Sequence, residues 1–134
     1  MGSAPLAVIA LSALIIGDGL ADPVGRWLGA GKSTHYTFAY FGQKSVPGSL
    51  ACFFATVMAS AAWGKLFALS GHYGADFDQA VFLKSAAILA GAATLAEATS
   101  PPMVDNIVVV VACSVAGFVL SESGYAPFLT KSKL

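Results

Sequence analysis

The chain has 134 residues, seven basic against seven acidic, with 57% hydrophobic and only 10% charged residues. A soluble domain carries about 25% charged residues, so a soluble monomer and a disordered chain are excluded. The zero net charge excludes binding to nucleic acid through a basic surface. Two cysteines, Cys52 and Cys113, lie inside apolar stretches with no CxxC spacing, and read as small packed hydrophobes. A mean hydropathy of +0.75 is that of a multi-span membrane protein.

The first apolar segment, Ala4 to Ile16, has no basic region before it and does not read as a secretory signal. It is short for a span of about 20 residues, so it either begins before Met1 or continues into the GDG that follows. Gly17 to Val46 is a long connection that holds most of the polar chemistry. Within it, Asp18 and Asp22 stand four apart. On one helix they face the same way, and two such carboxylates can hold Mg²⁺ while phosphate oxygens complete the shell. Arg26, four further on, extends that stripe toward a phosphate. Pro23 offers the other geometry, in which Asp22 caps a new helix that starts at the proline. Gly29-Ala30-Gly31-Lys32-Ser33-Thr34 fails as a phosphate-binding P-loop, because the position five before Gly31 is Arg26. Its glycines still allow close backbone approach to an anion, with Lys32 as the charge. Lys44 and Ser45 immediately precede the second segment, Pro47 to Leu69, where free N–H groups and a lysine favour phosphate. Ser70 to Asp78 is a polar turn. The third segment, Phe82 to Ala98, ends on Glu97, a carboxylate at the wrong end of a helix dipole that therefore needs a cationic, metal or nucleotide partner. Pro101 and Pro102 break the chain. Asp105 and Asn106 open the fourth segment, Met103 to Leu120, as caps or as site residues. Its Ile107–Ala112 run is β-branched, but an open strand edge cannot be satisfied in lipid, so helix is expected. Small residues throughout these segments point to close helix packing.

The sequence therefore predicts an all-α, polytopic transmembrane bundle of about four spans, forming one membrane-embedded domain over 1–134. Alternating spans place Asp18, Asp22, Arg26, Lys32 and Lys44 at the same membrane face as Glu97, Asp105 and Asn106. His35 and His72 read as surface residues. Trp27, Tyr36, Tyr40 and Trp63 suit the membrane interfaces.

Three stretches in this order, GDGLADPVGRWLGAGK (17–32), GQKSVPGSLACFF (42–54) and AEATSPPMVDNIVVVV (96–111), resemble the phytol kinase and farnesol kinase group. That group is related to dolichol kinases and CTP-dependent cytidylyltransferases. The resemblance implies a multi-pass membrane kinase that moves a phosphoryl group from CTP or another nucleoside triphosphate to an isoprenoid alcohol. It implies Mg²⁺ or another divalent cation, held by Asp18 and Asp22, with Glu97 and Asp105 as further catalytic carboxylates. Gly17, Gly25, Arg26, Lys32, Lys44, Ser45, Gly48 and Asn106 would then bind the nucleotide. It also implies either further N-terminal spans or a homo-oligomer, since the chain is about half the length of a typical member. In a photosynthetic source it implies a plastid membrane and phytol salvage toward tocopherol. The alternatives are a CTP-dependent phosphatidate cytidylyltransferase and a truncated, non-catalytic membrane paralogue.

Overall fold

A computed structural model describes residues 5–28, 35–37, 43–73, 77–101 and 103–129. Lys32 and Tyr40 lie outside the described residues. Among those described, four helical stretches are long and apolar enough to cross a membrane: Pro5–Leu28, Val46–Leu69, Gln79–Thr99 and Asp105–Glu122. The protein is an all-α bundle with the character of a multi-pass membrane protein.

The first stretch is composite. Helix α1 (Pro5–Ser12) passes through a π-helical segment (Ala13–Gly17) into α2 (Asp18–Leu28). The Asp18 N–H donates to the Ala13 carbonyl, five residues back. Of the two sequence expectations, continuation into the GDG region holds. The expectation that Asp22 caps a new helix is corrected, because Pro23 sits inside α2. Proline removes one backbone hydrogen bond, but α2 continues because its buried face packs tightly on the next span. In helices, tertiary packing of this kind outweighs local propensity.

That packing rests on glycine. Gly25 and Gly48 face each other, and a Cβ built on Gly48 would lie 2.8 Å from the Ala21 carbonyl and 2.9 Å from Ser45 Oγ. About two turns down, a Cβ on Gly17 would collide with Thr56 Oγ1 and lie 3.2 Å from the Cys52 carbonyl. Gly48→Ala is accordingly expected to lower stability by about 1–3 kcal/mol through overpacking, read as a melting shift in detergent. Gly19→Ala has open space around its Cβ and should be neutral or better.

Between α2 and the second span, β1 (His35–Thr37) pairs antiparallel with β2 (Gln43–Ser45), with Tyr36 opposite Lys44. The sequence did not anticipate this ribbon. β2 runs straight into α3 (Val46–Leu69), whose N-cap is Ser45, its Oγ accepting the Gly48 N–H at 3.2 Å. Helix α4 (Gln79–Thr99) is capped by Asp78, which accepts the Ala80 and Val81 N–H groups. The β-branched fourth segment forms α5 (Asp105–Glu122), as expected.

Successive spans run antiparallel. Gly25 meets Gly48, Phe82 fills the place a Gly64 side chain would take, and the Cys113 thiol points at the Leu89 carbonyl. The seam closes where Leu6 of α1 packs on Gly117 of α5. The core is thin and made mostly of small side chains, among them Ala13, Ala86, Ala90 and Ala93, all fully buried. Large apolar residues such as Phe54, Met58, Leu95 and Val115 face outward, as a lipid-embedded bundle requires. The chain after α5 folds back: a 3₁₀ turn at Pro127–Leu129 buries Leu129 beside Ile9 and Phe82.

Candidate functional site

The topology brings α2, β2 and the start of α3 to the same end of the bundle as the end of α4 and the start of α5. Lys44 is the centre of what gathers there. Strand β2 holds its backbone extended, and its Nζ donates to Glu97 Oε1 at 2.5 Å and lies 3.7 Å from Asp105 Oδ2. All three side chains are largely buried, with exposures of 18% for Lys44, 6% for Glu97 and 15% for Asp105. The carboxylate at the unfavourable end of α4 thus has its cation, supplied from 53 positions away in sequence. Asp105 stands in the first turn of α5, where the helix dipole favours it, and its Oδ1 accepts the Asn106 N–H at 2.9 Å. Asp18, half-buried, interacts electrostatically with Asp105, Glu97 and Lys44. One ammonium therefore faces three carboxylates.

Burial works against the Lys44 ammonium. The hydrogen bond it donates to Glu97 and the charges of Glu97, Asp105 and Asp18 outweigh that effect and hold it above its ordinary value of 10.5. A raised lysine contributes stability below its unfolded value and loses it as pH rises through the folded value. Melting temperature should therefore show no loss from this cluster up to about pH 9. It should fall above about pH 10.5 in the wild type, and less in a variant whose Lys44 is already replaced.

Beside the cluster lies a cavity of about 250 Å³. Asp22, Arg26, Lys44, Ser45, Ser49 and Glu97 are among the residues that line it. Small-molecule sites usually span about 300–1,000 Å³, so this one matches a phosphate or diphosphate group and not a whole nucleotide. Arg26 reaches back to Asp22 at 3.3 Å, both side chains more than four-fifths exposed, a pair weak enough for an incoming phosphate to displace. Ser49 was not singled out from sequence. Its signal was available, since it stands four after Ser45 and shares that residue's helix face.

No family model, curated protein or solved structure matches the chain.

The sequence-predicted residues divide on this geometry. Asp22, Arg26, Lys44, Ser45 and Glu97 meet at the cavity, while Asp18 and Asp105 stand at the charged cluster beside it. Gly25 and Gly48 border the cavity, but their lack of a side chain is spent on helix contact. Gly17 is a packing residue of the α3 crossing and not a cavity residue. Asn106 is exposed next to Asp105. Among the described residues, no three His, Cys, Asp or Glu side chains converge to hold a metal ion by themselves. Mg²⁺ carried in with nucleotide phosphates needs only one or two protein carboxylates; of the two expected from the sequence, Asp22 lines the cavity and Asp18 does not. His72 is exposed, within 3.0 Å of Ser70 Oγ and edge-on to Phe67, as a surface residue.

Proposed function

We propose that this chain is the membrane-embedded core of an isoprenoid alcohol kinase, transferring the γ-phosphoryl of CTP or another nucleoside triphosphate to a phytol-like alcohol. The observation that supports it most is the Lys44–Glu97–Asp105 cluster beside a phosphate-sized cavity, at one end of a four-span apolar bundle. Phosphoryl transfer needs little covalent machinery, only positioned charges and exclusion of water. Arg26 and Lys44 would engage phosphate oxygens, with the Ser45 and Ser49 side of the cavity orienting them. Glu97 and Asp105 fix the Lys44 ammonium. Asp18 and Asp22 would hold Mg²⁺, which when bound neutralises charge on the phosphates. The alcohol oxygen forms the new P–O bond, the bond to the β-phosphate oxygen breaks, and the nucleoside diphosphate leaves. Asp105, at the rim of the cluster, would accept the hydroxyl proton. In a photosynthetic source the reading extends to a plastid membrane and tocopherol salvage.

The test uses membranes that contain the inserted chain, Mg²⁺, γ-labelled CTP or ATP, and phytol, farnesol or geranylgeraniol. Labelled prenyl phosphate is expected. Release of pyrophosphate with a phosphatidate acceptor would point instead to a cytidylyltransferase. One observation favours a non-catalytic role: Lys44 is already paired twice, as a structural pin would be. No label with any alcohol, from chain shown to be inserted, would favour a truncated or non-catalytic protein.

A further inference from the structure

The outer face of the bundle carries its own measure of the membrane it fits. Exposed polar and aromatic side chains end the apolar belt at two levels, because a charge or an indole that faces lipid is stable only near the headgroups. At the end that holds the Lys44 cluster, the markers are Asp22 and Trp27 on α2 and Asn106 on α5, all exposed. At the other end they are Trp63 and Lys65 on α3, Lys84 on α4 and Glu122 on α5, again all exposed. Asp18 is no marker, since its half-buried carboxylate interacts with the inward-facing cluster. Ser114, exposed on α5 between the two levels, donates to the Val110 carbonyl at 2.8 Å and needs no water.

Contacts between the spans set these markers level with one another. Phe82 against Gly64 brings Lys84 within about one turn of Trp63 and Lys65. Cys113 against the Leu89 carbonyl brings Asn106 level with the Glu97 end of α4. Gly25 against Gly48 puts Trp27 level with the start of α3.

The two levels lie close together. On α5, Asn106 and Glu122 stand about 24 Å apart along the axis. From Trp27, across the Gly25–Gly48 contact and down α3 to Trp63, the separation is about 25 Å. The polar residues of α5 and the two tryptophans thus give the same depth independently. A typical hydrocarbon core is about 30 Å thick, and any tilt of the helices shortens what they span. Lys65 and Lys84 relieve part of the difference by reaching outward along their stems. Asn106 and Glu122 are too short to do so.

We infer that the lipid-facing surface of this bundle fits a bilayer whose hydrocarbon core is about 25 Å thick, and that a thicker bilayer thins around it. The fit does not depend on any activity of the chain. It sets Asp22 and Arg26, at the phosphate-sized cavity, at headgroup level.

The test places the full chain in vesicles of monounsaturated phosphatidylcholines, with acyl chains of fourteen to twenty-two carbons, and follows melting by circular dichroism. The melting temperature is expected to be highest at fourteen or sixteen carbons and to fall with each longer chain, because every added ångström of mismatch costs free energy. An optimum at eighteen carbons or beyond, or no dependence on length, would overturn the inference. Depth is read separately with Trp27→Phe and Trp63→Phe, each of which leaves a single indole. In fourteen-carbon bilayers that indole should be quenched several-fold more by bromines near the ester carbonyls than by bromines at the chain ends. An indole that stays unquenched protrudes into water, and one quenched most at the chain ends lies too deep. Either result contradicts the fit. If a variant fails to insert, the melting series of the wild-type chain decides on its own.

Discussion

Replacing Lys44 with methionine is expected to destabilise the bundle by about 3–5 kcal/mol, the usual cost of stranding buried charges by removing one partner. The magnitude follows from what remains. Glu97 and Asp105 are largely buried at the ends of α4 and α5, and Lys44 is the cation that meets both. Glu97 would then face the negative end of its own helix unaided. Adding Glu97→Gln to Lys44→Met should recover a large part of the loss, since an amide in that place carries no uncompensated charge. The coupling between the two changes, read from melting in detergent, should exceed about 1 kcal/mol, as it does for contacting pairs. Simple additivity would mean that the pair is incidental. Arg26→Met is the control: its exposed pair with Asp22 should contribute almost nothing.

How far this cluster could be foreseen follows from which signals are local. The spans were legible because hydropathy over some twenty residues is a property of the sequence itself. The need for a partner at Glu97 was legible too, because the helix dipole fixes the sign of the charge that suits that end. Topology then placed Lys44 at the same face. It did not place Lys44 on Glu97, because contact between positions 44 and 97 depends on how β2 enters α3. Strands of three residues are too short for a period-two pattern to show, so the ribbon that aims Lys44 went unseen. The π segment at Ala13–Gly17 leaves no compositional trace either. Glycine was the least legible residue. In the sequence, Gly17, Gly25 and Gly48 sit among charged and hydroxyl residues and resemble anion-binding backbone. In the fold, each admits a neighbouring helix. Both uses need the absence of Cβ, and sequence spacing alone does not separate them.

If the chain is the proposed kinase, Asp18→Asn is expected to lower phosphoryl transfer by about two to three orders of magnitude, while melting temperature stays unchanged or rises. The two halves have different origins. Asp18 stands half-buried near Asp105, Glu97 and Asp22, with Lys44 as its cationic neighbour in the cluster and already shared between two other carboxylates. An uncharged amide of the same shape relieves that repulsion and keeps the packing of the first span on α3. A cluster maintained for stability alone would not hold a third carboxylate against a single ammonium. The excess negative charge makes sense if a divalent cation with its phosphates arrives to meet it, and sites of that kind commonly trade stability for activity. Measured together, labelled prenyl phosphate and melting temperature separate the cases. Loss of product without loss of stability assigns Asp18 to the reaction. Loss of both would make Asp18 a structural member of the Lys44 network. Full activity with higher stability would remove Asp18 from the site and leave Asp22 as the carboxylate facing the phosphates.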